Sequence, residues 1–352
     1  EVLTYSVAHS EELRKLAELE KRLGGERGDG ATEMPGYRAW DTSRPPVTIV
    51  NPTSSRQDVM RPSLLPNMLD TLLMNMRLMP ETPIRIFELG KVFMARTEEE
   101  VEARRAEIER ERVRYPRLRN WQPVQDEERL PLEPRRLMGL MSGPRQPRSL
   151  FNQDGGKAAQ AWNGEELDYF DAKGVVEEML RHLHINDVEW VRADAPLFHP
   201  GRSAMLRAGG RDLGMVGELH PTLLVEWDIP GGRVAAWDLD VEGLIETMPE
   251  RHLYKQISPY VPVRQDMAFA VPADMPASQL GDAIKRAGGA SVLDVTLFDI
   301  YTGPQVGEGQ KSLAFAVTFN STEKLLTEED AARIRQRIER TLERELGAKL
   351  RG

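Results

Sequence analysis

Lys311-Ser312-Leu313-Ala314-Phe315-Ala316-Val317-Thr318-Phe319 is the stretch on which the reading of the fold turns. Its side chains alternate in size with the period of a strand. Leu313, Phe315, Val317 and Phe319 share one face, and Ser312, Ala314, Ala316 and Thr318 share the other. Only the bulky face has apolar area enough to cover a core. The same division recurs upstream from Arg264 to Val271. There Met267, Phe269 and Val271 lie opposite Ala268 and Ala270. Between these strands, Leu280, Ala283, Ile284 and Ala287 recur at helical spacing, and Gly288-Gly289 ends the helix. Leu293, Val295 and Leu297 then alternate in a strand that ends at Phe298-Asp299-Ile300-Tyr301. A Gly/Pro-rich turn, Thr302 to Gln310, leads into the strand quoted above.

Beyond it, Thr327 and Asp330 have the spacing of a capping box. They open a helix whose apolar stripe is Ala331, Ile334, Ile338 and Leu342, and Ala348 to Arg351 forms a short last strand. Residues 257–352 therefore read β-α-β-β-α-β, a split βαβ or ferredoxin-like unit. Both helices are expected over Phe269 and Phe315, which leaves the small-residue face open.

Residues 1–250 read as one α+β domain on a largely antiparallel sheet. Ser10 is placed to cap a helix through Leu13, Leu16 and Leu23. The cluster from Gly24 to Gly30 breaks it and lacks the Gly-Lys-Ser/Thr ending of a phosphate loop, so a mobile surface loop is expected. A second helix begins near Ser63, with Pro66 in its first turn. It carries Leu65, Leu69, Leu72, Leu73 and Met76 at helical spacing, in a region also holding Met60, Met68, Met74 and Met79. A core stripe is the reading the spacing favours; an adaptable surface for a partner helix is the alternative. Ile84 to Phe93 reads as a strand, with Gly90 as a candidate bulge. Residues 96–136 interleave acids and bases before a run of prolines, as an exposed helical arm or a poorly ordered insertion. Asp168 and Asp171 are spaced to cap a helix through Val175, Val176, Met179 and Leu180. Short strands follow, punctuated by His199-Pro200-Gly201-Arg202-Ser203-Ala204 and by Gly217-Glu218-Leu219-His220-Pro221.

The chain has 352 residues, enough for two cores, with 29% charged and 40% hydrophobic residues. It holds no cysteine, which excludes disulfides, thiolate zinc sites and cysteine nucleophiles and fits a cytosolic protein. No apolar run is long enough for a membrane span, and the N-terminus has neither the basic nor the apolar region of a signal peptide. There is no initiator Met. Glu1 reads as lying inside a strand, so the chain is expected to be a piece of something longer. Net charge is −9, so nucleic acid could be held only by a local patch. His182 and His184 are two apart and diverge on a helix, and His199 and His220 sit in proline turns. None is expected to bind metal.

An open sheet face of alanines and serine lets a flat base approach closely, and unpaired bases are the usual target of sequence-specific RNA readers. Tyr301 can stack a base, Asp299 and Ser312 can bond base edges, and Lys311, Arg264 and Arg351 can meet phosphates. The same face could instead pack on another domain or face solvent, because this topology hosts many functions.

The ordered motifs add a resemblance. Phe298-Asp299-Ile300-Tyr301-Thr302-Gly303, Gly309 to Phe315, Leu326-Thr327-Glu328-Glu329, Leu350-Arg351-Gly352 and Pro262 to Ala268 resemble the anticodon-binding domain of the phenylalanyl-tRNA synthetase beta-subunit family. Upstream, Asn51-Pro52, Val59 to Pro66, Phe87 to Phe93, His199 to Ala204 and Gly217 to Pro221 resemble that subunit's class II synthetase-like domain. The family often carries a second arginine where Gln265 stands here.

The resemblance implies anticodon contacts at Ala268, Asp299, Tyr301, Ser312 and Arg351, and partners in a catalytic alpha subunit and tRNA(Phe). Asp299 and Tyr301 share the parity of Leu297, so twist or a bulge at the strand end must turn them outward. A class II active site clamps phosphates with arginines. Phe87-Glu88-Leu89-Gly90 lacks the Arg-x-Glu expected there, and Gly214 to Pro221 shows no glycine-rich run ending in Glu-Arg. This copy is therefore expected to hold no cofactor, with ATP and Mg2+ used by the holoenzyme. The family further implies a cytoplasmic heterotetramer of two alpha and two beta chains. Arg61, Leu65, Met68, Leu72 and Met76 are the expected interface with alpha. A stand-alone RNA-binding or scaffold paralogue is the rival reading, and an enzyme with its own adenylating site a third.

Overall fold

The structure, a computed structural model, describes residues 1–25, 36–79, 82–114, 126–145, 166–251, 257–307 and 309–351. The loop expected beyond Gly25, the prolines at 116 and 123, and Gly352 lie outside the described residues. The chain divides into two compact units, Glu1–His252 and Leu253–Gly352.

In the first unit the elements run β1 (Val7–Ala8), α1 (Ser10–Gly25), β2 (Val59–Met60), α2 (Leu65–Leu78), β3 (Ile84–Lys91), α3 (Glu98–Arg114), β4 (Arg135–Ser142) and α4 (Tyr169–His182). They continue as β5 (Val188–Val191), β6 (Phe198–Ala208), β7 (Arg211–Leu219), α5 (Pro221–Glu226), β8 (Ala235–Asp240) and α6 (Val241–Thr247). Six strands form one sheet in the order β3-β4-β8-β7-β6-β5, antiparallel throughout. Apolar residues on both faces of the strands bury it from two sides. Leu13, Leu16, Leu65, Met68, Leu69 and Leu72 pack with Met138, Leu140, Met205 and Met215 on one face. Ala172, Val176 and Leu180 pack with Met141, Leu206, Val216 and Trp237 on the other.

Several local expectations give way to long-range contacts. Glu1 is not in a strand; the first is β1, although the Val2 N–H donates to the Phe87 carbonyl at 2.9 Å. Ser10 is the first helical residue of α1 rather than its cap. Its N–H and hydroxyl donate to Asp58 at 2.9 and 2.6 Å, so a carboxylate from far along the chain closes that helix end. Gly90 makes no bulge, because β3 pairs with β4 in unbroken register. It makes room instead: a Cβ there would stand 2.4 Å from an Arg61 guanidinium nitrogen. His199–Ala204 and Gly217–Leu219 do not separate strands but lie inside β6 and β7, and the pairing between those two strands is interrupted between Phe198 and Ser203. The charged stretch is helical over Glu98–Arg114, where α3 buries only Val101 and is laced with ion pairs such as Arg104–Glu107 at 2.7 Å.

The deepest polar feature of this unit is the Arg61–Glu88 pair, 2.8 Å apart, with side chains 4% and 2% exposed. Its remaining hydrogen-bonding capacity is met locally. Arg61 Nε donates to the Lys91 carbonyl at 2.9 Å, and Arg61 Nη1 donates to the Thr4 hydroxyl at 2.7 Å. That hydroxyl donates in turn to Glu88 at 2.7 Å. The network ties the N-terminal segment and the entry to α2 onto β3.

The second unit runs β9 (Val263–Pro272), α7 (Ala277–Gly288), β10 (Val292–Tyr301), β11 (Gln310–Phe319), α8 (Glu328–Leu346) and β12 (Lys349–Arg351). Its sheet order is β10-β11-β9-β12, again antiparallel, as a split βαβ unit requires. Leu280, Ala283 and Ile284 of α7 and Ala331, Ile338 and Leu342 of α8 cover Met267, Phe269, Leu313 and Phe315. Thr327 and Asp330 form the capping box, with mutual backbone bonds at 3.2 and 3.3 Å. Leu293 departs from its expected face: a register shift between Val292 and Asp294 leaves it 65% exposed.

Two outcomes follow from these buried charges. Glu88→Ala strands the Arg61 guanidinium in the interior and should cost about 3–5 kcal/mol in chemical denaturation. A cost below about 1 kcal/mol would show the pair to be solvated. Glu20 has its pKa pushed up to about 7 by burial, against a backbone hydrogen bond from Ala39 that favours the anion. The folded chain therefore holds this proton more tightly than the unfolded one, and its contribution to stability is lost as pH rises from about 4.5 through about 7. Glu20→Gln should gain roughly 1–3 kcal/mol over the parent at pH 8 and nothing at pH 4.5. An identical gain at both pH values would contradict this.

Candidate nucleic-acid interface

β11 is the spine of the site. Its small-residue positions align with small or functional residues on both neighbours. Ser312 pairs with Tyr301 on β10 and Ala270 on β9, while Ala314 pairs with Asp299 on β10 and Ala268 on β9. Arg351 on β12 pairs with Ala268 and extends the second row.

Strict alternation on β10 would turn Asp299 and Tyr301 into the core with Leu297. The register between β10 and β11 instead slips between Leu297 and Asp299, because Leu297 pairs with Phe315 and Asp299 with Ala314. Phe298 is the extra residue, 53% exposed. After this bulge, parity is reversed, and Asp299 and Tyr301 join Ser312 and Ala314 on the open face. Leu297 before it still packs against the core.

Ala268, Asp299, Tyr301, Ser312 and Arg351 all line one shallow concavity of about 360 Å3. Ser312 is buried there, and the Arg351 guanidinium lies 5.8 Å from the centroid of the Tyr301 ring. This combines an aromatic ring, a carboxylate and a hydroxyl able to meet a base edge, and a cation beside them. That set suits one or two unstacked bases and an adjoining phosphate.

The two further cations do not join it. Lys311 pairs with Val271 and shares the parity of Leu313, so alternation turns it toward the helix-covered side. Arg264 shares the parity of Ala268 but pairs with Thr318, near the opposite end of the strand. Neither lines the concavity. Gln265 has the parity of Met267, and its amide oxygen is buried without a hydrogen-bond partner among the described residues. The lining also includes Gln305 and Asp266, which sequence reasoning passed over. Gln305 sits in the turn after β10. The only signal for it was that a turn closing a strand end must hang over whatever that end presents.

In the first unit three arginines on or beside the sheet face carboxylates of this chain. Arg61 is paired with Glu88, Arg136 with Asp238 at 2.8 Å, and Arg202 with Glu218 at 2.7 Å. The Tyr37 hydroxyl also donates to Asp238, and burial together with that carboxylate pushes the phenol well above its ordinary pKa. Four of the five expected interface residues are buried in the core, the reading that the helical spacing favours. Arg61, Leu65, Met68 and Leu72 are at most 3% exposed, and Met76 packs partly against the same cluster. The first four offer almost no area to a partner, Met76 is half-buried, and the exposed apolar residues of α2 are Met74 and Leu78.

The remaining candidates have structural roles. His199 Nδ1 accepts from the Gly201 N–H at 3.1 Å, and His220 Nδ1 accepts from the Thr222 N–H at 3.2 Å. Asp168 and Asp171 form the capping box of α4, and Arg145 pairs with Asp171 at 2.9 Å. His184 lies beyond the end of α4 with a φ of 57°. Among the described residues, no group of three or more acidic or histidine side chains is placed to hold a metal ion.

Comparison with known proteins agrees with this geometry. Residues 1–241 match the family model "Phenylalanyl tRNA synthetase beta chain CLM domain", and residues 258–351 match "Ferredoxin-fold anticodon binding domain". The phenylalanine–tRNA ligase beta subunit of Moorella thermoacetica is 33% identical over 93% of this chain and 35% of its own length. That of Bacillus subtilis is 30% identical over 86% of this chain and 32% of its own. The chain thus spans about a third of the length of these curated relatives. A solved pyrrolysyl-tRNA synthetase from Desulfitobacterium hafniense aligns over 69% of this chain and 61% of that one, at 15% identity and a TM-score of 0.37, too distant to bear on the fold. With a family model matched over residues 1–241 and a second along the sheet that carries the concavity, the chain belongs to the phenylalanyl-tRNA synthetase beta chain family.

Proposed function

We propose that this chain binds the anticodon end of tRNA(Phe) through the open face of its second unit. In the same reading it docks through its first unit on a catalytic alpha subunit, which attaches phenylalanine to the tRNA with ATP and Mg2+. The observation that carries it is the convergence of Ala268, Asp299, Tyr301, Ser312 and Arg351 on one concavity, achieved through a bulge that strand alternation alone would not supply. Family membership makes tRNA(Phe) the nucleic acid of choice. A cytoplasmic assembly of two alpha and two beta chains accords with the absence, among the described residues, of any helix long and apolar enough to cross a membrane.

The division of labour rests on charge. Phosphate activation needs arginines free to meet developing negative charge. Arg61, Arg136 and Arg202 each face a carboxylate of this chain instead. Holding tRNA needs a local cationic and stacking surface, which Arg351 and Tyr301 provide despite the overall charge of −9. The alpha subunit finds its footing on the apolar residues that α2 leaves exposed, Met74 and Leu78, since the inner stripe of that helix is committed to the core.

Tyr301→Ala and Ser312→Ala should each weaken tRNA(Phe) binding by about 1–3 kcal/mol at fixed salt, the scale of one base stack or base-edge contact. Arg351→Ala should chiefly flatten the salt dependence of binding. Unchanged affinity in both of the first two variants would remove the concavity from the anticodon site. The chain should co-elute with the alpha subunit, and Leu78→Asp should weaken that association while leaving thermal stability within about 0.5 kcal/mol. Elution apart from alpha, with RNA binding retained, would favour the stand-alone paralogue. Charging of tRNA by this chain alone would overturn the non-catalytic reading.

A further inference from the structure

Gly303 stands two residues beyond Tyr301, at the start of the turn that follows β10. A Cβ built there would lie 2.5 Å from the Tyr301 hydroxyl oxygen and 2.7 Å from the ring carbon that bears it. Side-chain carbons do not approach other atoms so closely, so the phenol end of the ring occupies the volume a side chain at 303 would need. The glycine is not there for backbone reasons, since its φ lies outside the left-handed region that side chains avoid. Nor is the backbone free to back away. The Val306 N–H donates to the Gly303 carbonyl at 3.1 Å, and Val306 is buried. On another side, the Arg351 guanidinium lies 5.8 Å from the ring centroid.

We propose that Gly303 is a positioning residue for RNA binding. By giving up its side chain it lets the turn close against Tyr301 and fixes that ring in the concavity beside Asp299 and Ser312. Gly303 itself touches no base. Its contribution is preorganisation: a ring held in place before binding loses less rotational freedom when a base stacks on it. This inference rests on the reading of the concavity as the anticodon site. It adds that the site's aromatic platform is set by the turn and not by the strand alone.

The test is a double-mutant cycle on the assembled complex, with a tRNA(Phe) transcript as probe and thermal stability measured in parallel. Gly303→Ala forces the ring out of its seat. It should weaken binding roughly 5- to 150-fold, the range spanned by the loss of one stacked base. Tyr301→Ala should weaken it by a similar factor. Adding Gly303→Ala to Tyr301→Ala should change affinity by less than about 2-fold, because the atom it collides with is gone. If Gly303→Ala alone does not fold, the double variant should fold and bind like Tyr301→Ala. Wild-type affinity in Gly303→Ala, a further full loss in the double variant, or failure of both variants to fold would overturn the proposal. Loss on Tyr301→Ala without loss on Gly303→Ala sinks the positioning role and leaves the anticodon reading standing. No loss on Tyr301→Ala sinks both.

Discussion

One extra residue in one strand decides what this chain presents on the open face of its second unit. A strand obeys a period of two, and β10 uses it to bury Val295 and Leu297. Continued without interruption, that period would send Asp299 and Tyr301 into the same core and leave Phe298 and Ile300 on the open face. The slip at Phe298 reverses the parity. It turns a carboxylate and a phenol toward the alanines and serine of β9 and β11 and leaves the core behind it undisturbed. The other features of the site are permissive. Ala268, Ala314 and Ser312 are small enough not to fill the space, and Arg351 arrives on the edge strand β12.

The two units solve opposite electrostatic problems. In the first, Arg61, Arg136 and Arg202 each face a carboxylate of this chain, and the Arg61–Glu88 pair is almost completely removed from water. Such pairs add little net stability but make each partner hard to remove. The Arg61–Glu88 pair, with Thr4 and the Lys91 carbonyl, fixes the N-terminal segment, the entry to α2 and β3 relative to one another. In the second unit, Arg351 lies beside the Tyr301 ring, 5.8 Å from its centroid. On the proposed function, a chain of net charge −9 would hold RNA through a local patch of the second unit rather than by overall attraction.

What was legible in the sequence followed the range of the forces involved. The ferredoxin-like unit could be read almost entirely, because Phe269, Phe315, Ile338 and Leu342 declare their faces by period alone, and Thr327 with Asp330 marks its helix start by spacing. The outward turn of Asp299 and Tyr301 was legible as a requirement that the resemblance set, with twist or a bulge as its means; that it is a bulge, and where, is a property of pairing with β11, not of β10 by itself. What escaped lay in contacts between distant segments. Asp58 closes the helix that Ser10 begins, and Arg61 takes the space that Gly90 leaves. Gln305 and Gly303 escaped for a related reason, since turn residues have no period and reveal their use only when the folded strand end lies beneath them.

The central claim is that the concavity at the end of β10 and β11 receives anticodon bases. Photo-crosslinking of tRNA(Phe) to the assembled complex, with both crosslinked partners mapped to residue and nucleotide, tests it most directly. The account predicts that anticodon nucleotides crosslink to the segment from Phe298 to Gln305 and to Arg351. Crosslinks from the anticodon confined to other segments, with that stretch unmodified, would contradict it.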